Sequence, residues 1–193
     1  MLMTREMSEV QARPGESLEV LVSATAVEAR VRALGAAISR DYQGRSLLLV
    51  GILRGSFVFL ADLIRSIDVP VAIDFMAISS YGASTRSSGV VRILKDLDEE
   101  VQDRHLVVVE DIVDTGLTLN YIKSQLVARD AASVAICTLL DKPSRRQVDV
   151  HLDYLGFQIP DEFVVGYGLD FDECYRNLPD VCRLHIHGRK ELE

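Results

Sequence analysis

The residues best placed to do chemistry lie between Val107 and Leu119. Three apolar residues, Val107 to Val109, run straight into two adjacent carboxylates, Glu110 and Asp111. Two more apolar residues follow, then Asp114, Thr115, Gly116, Leu117 and Thr118, and then a helical pattern. An apolar strand, a small-residue turn and a helix start form a binding site for a phosphate. The turn exposes backbone N–H groups, and the helix dipole places partial positive charge on them. Thr115 and Thr118 add hydroxyl donors, and Gly116 lets the backbone approach closely. Carboxylates beside a phosphate would repel it unless something neutral or cationic lies between them. Vicinal sugar hydroxyls or a Mg²⁺ ion meet that need. Asp114, on the turn itself, is positioned to accept a proton from a neighbouring substrate atom. A lone Asp-x-Thr-Gly would read as a helix cap; the whole block does not. It lacks both the Gly-Lys-Ser/Thr of a Walker loop and the Gly-x-Gly-x-x-Gly of a dinucleotide site.

These residues need a frame. Val27, Val31, Leu34 and Ile38 recur at helical spacing in a segment that starts at Ser17 or Ser23 and ends at Tyr42. Leu47 to Leu53 is a continuous apolar run, the pattern of a strand buried on both faces. A second helix is expected through Phe57, Leu60 and Ile64, and a third through Leu119, Ile122 and Leu126. Further strands are expected at Val71–Ser79, Val90–Leu97, Leu106–Glu110, Val134–Leu140 and Val164–Leu169, the last closing the core. Strands alternating with helices imply an α/β fold with a mainly parallel sheet covered on both faces. The chain of 193 residues suits a single domain. Residues 1–16 and 171–193 stand outside the alternation and are expected to form a small hood lobe.

Composition narrows the function classes. Hydrophobic residues make up 48% and charged residues 26%, with a net charge of -8. A nucleic-acid grip would normally show a basic excess, so no nucleic-acid partner is expected. The N-terminal residues lack the apolar run of a signal peptide, and no stretch approaches the roughly 20 apolar residues of a membrane span. A cytoplasmic location with no membrane partner is expected, and Cys137, Cys174 and Cys182 read as free thiols.

The Glu110–Thr118 block resembles the signature of the type I phosphoribosyltransferases, which bind phosphoribosyl pyrophosphate (PRPP). With the rest of the chain, from about Leu47 to Cys182, the resemblance narrows to the hypoxanthine (hypoxanthine-guanine) phosphoribosyltransferase family. It implies that Glu110, Asp111, Asp114, Thr115, Gly116, Leu117 and Thr118 hold the 5-phosphate and ribose of PRPP, with Asp114 as the catalytic proton acceptor. Leu53-Arg54-Gly55-Ser56 resembles the family's pyrophosphate loop, whose first peptide bond can be cis. Many relatives carry Lys where this chain has Arg54. Arg176 matches an arginine that also contacts pyrophosphate. Ser80 and Tyr81 match the tip of a mobile loop that closes over the site.

Lys142 matches the lysine that donates to the purine 6-oxo group, Phe163 the aromatic that stacks on the base, and Val164 a backbone contact to its polar edge. Asp170 matches a residue that borders the base near the Mg²⁺–pyrophosphate site. The implied metal set is Glu110, Asp111 and Asp170, with Mg²⁺ as cofactor. The implied reaction joins hypoxanthine or guanine to PRPP, giving IMP or GMP and pyrophosphate in purine salvage. A homodimer or homotetramer is implied as well. The histidines, His185 and His187 included, match no family role. Lys142 and Phe163 speak against a pyrimidine substrate, and the net charge against a nucleic-acid-binding regulator on the same fold.

Overall fold

The computed structural model describes residues 12–80 and 91–187. Its main sheet has six strands: β2 (Leu47–Leu53), β3 (Val71–Ser80), β4 (Val91–Lys95), β5 (His105–Val113), β6 (Ser133–Asp141) and β7 (Tyr154–Gln158), in the order β4-β3-β2-β5-β6-β7. The pairs β2–β3, β2–β5, β5–β6 and β6–β7 are parallel, and β4 runs antiparallel to β3 at the edge. The fold is therefore α/β with a mainly parallel sheet, as the alternation of patterns predicts.

The sheet owes its double burial to the β2 and β5 sequences. Successive side chains on a strand point to opposite faces. Leu47 and Leu49 pack with Val107 and Val109 beneath α1 (Ala24–Asp41) and α2 (Phe57–Ile64), which contribute Val27, Leu34, Phe59 and Leu63. Leu48 and Val50 pack with Val108 and Ile136 on the other face, beneath Leu119, Ile122 and Leu126 of α3 (Leu117–Val127). Only a continuous apolar run satisfies both faces at once.

A second sheet has the order β1-β9-β8, made of β1 (Glu16–Val22), β8 (Val164–Val165) and β9 (Val181–Ile186), all antiparallel. Val165, Tyr175, Leu178, Cys182 and Leu184 form its own apolar cluster. The first helix starts at Ser23, not Ser17: Ser23 Oγ accepts from Ala26 N at 3.3 Å, while residues 16–22 pair with β9. Residues 1–11 and 188–193 of the expected lobe lie outside the described residues.

One strand reading needs correction, and one strand stands outside the sequence pattern. Val164–Leu169 does not close the core, because only Val164 and Val165 are strand and they join the smaller sheet. Gly166 (φ 97°), Tyr167 (φ 50°) and Gly168 (φ 101°) then turn the chain through the left-handed region. A Cβ at Gly168 would sit 2.2 Å from the Gly55 carbonyl oxygen, so this turn is pressed against the Arg54–Gly55 turn. The sixth strand, β7, escapes a hydrophobic-run reading. It is a short edge strand whose fully covered residue is Gly156, against the Leu139 backbone.

Candidate active site

Ligands of open parallel sheets sit at the carboxyl ends of the strands. Here β2, β5 and β6 end side by side, and each hands a functional segment to one cleft of about 630 Å³. β2 supplies Arg54 and Gly55, β5 supplies Asp111 and Asp114, and β6 supplies Lys142. From beside the smaller sheet come Phe163, Val164, Asp170 and Arg176. Nine residues, two singled out by type and spacing and seven by the family resemblance, thus converge on one hollow. Glu110 and Thr115–Thr118 adjoin the cleft without lining it. Ser80 ends β3, and Tyr81 lies outside the described residues.

The Leu53–Arg54 peptide is cis. Gly55 lies so close to Asp111 that a Cβ there would fall 1.6 Å from Asp111 Oδ2. No larger residue fits without displacing that carboxylate. Asp111 Oδ1 accepts the Ile112 amide at 2.9 Å. Burial pushes the Asp111 carboxyl up to about 6; Asp170 adds to the rise, while the Ile112 amide and Arg176 oppose it.

β5 runs three residues past Glu110, so both carboxylates stand inside the strand and must face opposite ways. Asp111 faces the cleft. Glu110, in register with Thr138 of β6, does not. Burial, with the Asp111 charge next door, holds Glu110 well above the usual carboxylate range. Its Oε2 has no hydrogen-bond partner among the described residues.

Asp114 opens the turn. Its carbonyl oxygen accepts from the Arg146 guanidinium at 2.7 Å, and Arg146 also pairs with the buried Asp141. The Thr115 carbonyl accepts the amides of Gln147 (3.0 Å) and Val148 (3.2 Å). Gly116 (φ 81°) caps α3, and the Leu117 amide reaches Thr115 Oγ1 at 3.4 Å. The first amides of a helix have no partner within it, and they face the end where Asp114 lies. Asp114 Oδ1 is sealed from solvent without a partner among the described residues, and Oδ2 lies 3.6 Å from Arg145 Nε.

Lys142 is only 7% exposed; its amide donates to the Val113 carbonyl at 2.9 Å, and its Nζ lies 3.7 Å from Asp161. Phe163 meets Phe171 edge to face at 5.5 Å, with the Arg13 guanidinium 5.3 Å from the Phe171 ring centre. Arg176 is held by Asp170 (2.7 Å) and the Gly168 carbonyl (2.8 Å). Glu173 pairs with Arg54 at 2.9 Å and approaches Arg176 at 3.7 Å.

The expected metal set does not converge as three ligands. Among the described residues no group of three or more His, Cys, Asp and Glu side chains is placed to hold a metal. Strand alternation is the reason, because it turns Glu110 away. Asp111 and Asp170 do both line the cleft, near enough that Asp170 raises the Asp111 carboxyl. Two carboxylates suit Mg²⁺, which takes one or two from protein and fills its shell with water and substrate phosphate.

Sequence reading missed Arg145, Asp161, Glu162 and Glu173, which also line the cleft. Their signal was position: Arg145 follows Lys142 by three residues, and Asp161 and Glu162 directly precede Phe163. The histidines stand apart from the cleft; His105 pairs with Ser133 and His185 with Glu19. Cys137, Cys174 and Cys182 are free thiols. No helix of the described residues is long and apolar enough to cross a membrane.

A helix start, the Asp111 and Asp114 carboxylates and a set of cations meet at the carboxyl edge of a parallel sheet, the arrangement of a transferase acting on a phosphorylated ligand. Residues 17–172 match the family described as Phosphoribosyl transferase domain, and the chain belongs to that family. It is 51% identical over 164 residues to a hypoxanthine phosphoribosyltransferase of Haemophilus influenzae, covering 83% of this chain and 92% of that one. It is 49% identical over 171 residues to a hypoxanthine-guanine phosphoribosyltransferase of Mycobacterium tuberculosis, covering 86% and 85%. The crystal structure of a hypoxanthine phosphoribosyltransferase from Staphylococcus aureus superposes with a TM-score of 0.84 at 48% identity, covering 86% of this chain and 91% of that chain.

The buried Asp111 carboxylate has a measurable cost. A carboxyl whose folded pKa is raised stabilises the fold at pH below its ordinary value near 3.8. It loses that contribution as pH rises through about 6 and opposes folding above it. Asp111→Asn removes the charge, and it relieves Glu110 in the same direction. A rise of this size costs the charged form at most about 3 kcal/mol. We expect the unliganded variant to melt several degrees higher at pH 8, at roughly 2–4 °C per kcal/mol for this size. The difference should vanish by about pH 4. Calorimetric scans at both pH values check it, and a variant less stable at pH 8 contradicts it.

Proposed function

We propose that this chain joins hypoxanthine or guanine to PRPP, producing IMP or GMP and pyrophosphate. One observation carries the reading. Asp111 and Asp114 at the end of β5, the Arg54–Gly55 turn and the Lys142–Phe163 pair line a single cleft, and the helix-start turn adjoins it directly after Asp114, so a sugar phosphate, a leaving diphosphate and a flat base have adjoining places.

On this reading the 5-phosphate accepts the amides and hydroxyls of Thr115–Thr118. Glu110 and Asp111 serve the ribose side, with Asp111 at the hydroxyls and Glu110 behind it. Arg54, the Gly55 amide and Arg176 receive the pyrophosphate. That anion must take over the cations that Glu173 now holds. The base stacks on Phe163, which Phe171 braces at 5.5 Å. Lys142 donates to the 6-oxo oxygen, and the Val164 backbone meets the polar edge. N9 attacks C1 of the ribose as the pyrophosphate oxygen departs, while Asp114 takes or shares the N7 proton. That sharing makes the ring more nucleophilic. Asp111 and Asp170 would hold Mg²⁺, which when bound neutralises charge on the leaving group. The three-stranded sheet serves as a hood over the base. A cytoplasmic homodimer or homotetramer belongs to the same reading.

Steady-state assays with PRPP, Mg²⁺ and hypoxanthine, guanine, xanthine or adenine in parallel test it. Turnover is expected with hypoxanthine and guanine and rejection of adenine. A preference for adenine, or no PRPP-dependent pyrophosphate release with any base, overturns it.

A further inference from the structure

Four charged side chains from three segments run in line along the base side of the cleft. Asp114 Oδ2 lies 3.6 Å from Arg145 Nε. Arg145 Nη1 lies 3.2 Å from Asp161 Oδ1 and 3.4 Å from Oδ2. Asp161 Oδ1 in turn lies 3.7 Å from Lys142 Nζ. All four line the cleft. The two ends of this line are the proton acceptor and the 6-oxo donor of the proposed reaction. They must serve neighbouring atoms, because N7 and the 6-oxo oxygen share one edge of a purine.

We propose that Arg145, with Asp161, is a positioning residue that fixes the spacing between Asp114 and Lys142, so that both engage that edge together. The inference rests on the roles proposed above for those two residues.

Local geometry supports it. The 3-10 turn Pro143–Arg145 is tied at its start by the Arg145 amide donating to the Lys142 carbonyl at 3.1 Å, so one short turn places both cations. A planar guanidinium can face a carboxylate on each of two sides; an ammonium on a flexible stem does not hold two partners in a fixed plane. A purely structural role fits poorly. The Arg145 side chain is 36% exposed and both partner carboxylates 45%, and such pairs add little to stability. The structural work falls to Arg146, 18% exposed, which binds the Asp114 carbonyl and Asp141. The two adjacent arginines thus divide the labour: Arg146 holds the Asp114 backbone, and Arg145 its carboxylate.

The test is a double-mutant cycle on the full chain, with PRPP, Mg²⁺ and hypoxanthine. Arg145→Gln is expected to lower kcat by about ten- to hundredfold, with the melting temperature within about 2 °C of the parent. The KM for PRPP is expected to stay within about twofold, because the reading gives Arg145 and Asp161 no contact with PRPP and Arg146 still holds the Asp114 backbone. Arg145→Lys should recover less than about threefold of the loss, because charge without the planar fork does not restore the spacing. Within an Asp114→Asn background, Arg145→Gln should cost less than about twofold more, since it acts through that carboxylate. Effects that multiply, or full recovery with Lys, overturn the proposal. A single Asp114→Asn variant with undiminished turnover sinks the underlying reading and this inference together. A normal Arg145→Gln enzyme beside a crippled Asp114→Asn enzyme sinks this inference alone.

Discussion

Asp114→Asn is expected to lower kcat by about 10²–10⁴-fold, the usual contribution of a positioned proton acceptor. PRPP binding should be nearly unchanged. The structure separates these two quantities. What holds the turn is the Asp114 carbonyl, through Arg146 at 2.7 Å, together with the Thr115 carbonyl under two amides. None of that depends on the side chain. The carboxylate has one oxygen without a partner among the described residues and the other beside Arg145. An amide of the same size therefore leaves the phosphate cradle in place and removes only the capacity to take a proton. Arg145 keeps Asp161 as a partner, so the neighbouring cation is not stranded. Single-turnover kinetics, with PRPP binding followed by calorimetry, give the two quantities. Undiminished turnover removes Asp114 as the acceptor. A parallel fall in PRPP affinity would mean that the side chain belongs to the cradle after all.

What could be read from the sequence follows from what each stretch has to satisfy by itself. The β2 run and the apolar start of β5 have to face two covered sides, so their composition announces them. The same holds for α1, whose stripe of Val27, Val31, Leu34 and Ile38 is buried throughout. β1 and β8 belong to a small sheet with one modest cluster, and their residues carry no comparable burden. Val164–Val165 therefore looked like the start of a core strand, and only the left-handed turn at Gly166–Gly168 shows otherwise.

The site divides along similar lines. The Glu110–Thr118 block is continuous in sequence, so type and spacing expose it. That the two acids face opposite ways was legible in principle from strand alternation, provided β5 was extended to Val113. Arg145 with Asp161, and Glu173 with Arg54, pair across 16 and 119 residues, and no local pattern encodes those pairings. Charge balance has the same character. The net charge of -8 hides a cleft that gathers Arg54, Lys142, Arg145 and Arg176, each already facing a carboxylate of the chain itself.

Lys142→Ala is the second large effect. The Lys142 side chain is almost fully buried, with Asp161 3.7 Å from its Nζ as counter-charge. A buried ammonium rewards a carbonyl in front of it and rejects an amino group, which would leave a donor facing a donor. Hydrogen bonds to charged groups contribute about 1.5–3 kcal/mol, so kcat/KM for hypoxanthine should fall by roughly 10- to 150-fold. Adenine, which gains nothing from the lysine, should be used as poorly as before or slightly better, and the ratio between the two bases should collapse by that factor. The fold should tolerate the change. The Lys142 amide still bonds the Val113 carbonyl, and Asp161 keeps Arg145 at 3.2 Å, so truncation leaves no buried charge stranded. Parallel kcat/KM measurements for hypoxanthine and adenine, at saturating PRPP, read the ratio directly. An unchanged ratio with normal melting would show that some other group reads the 6-position. The Val164 backbone would then be the next candidate, since it lines the same wall of the cleft and offers both a donor and an acceptor.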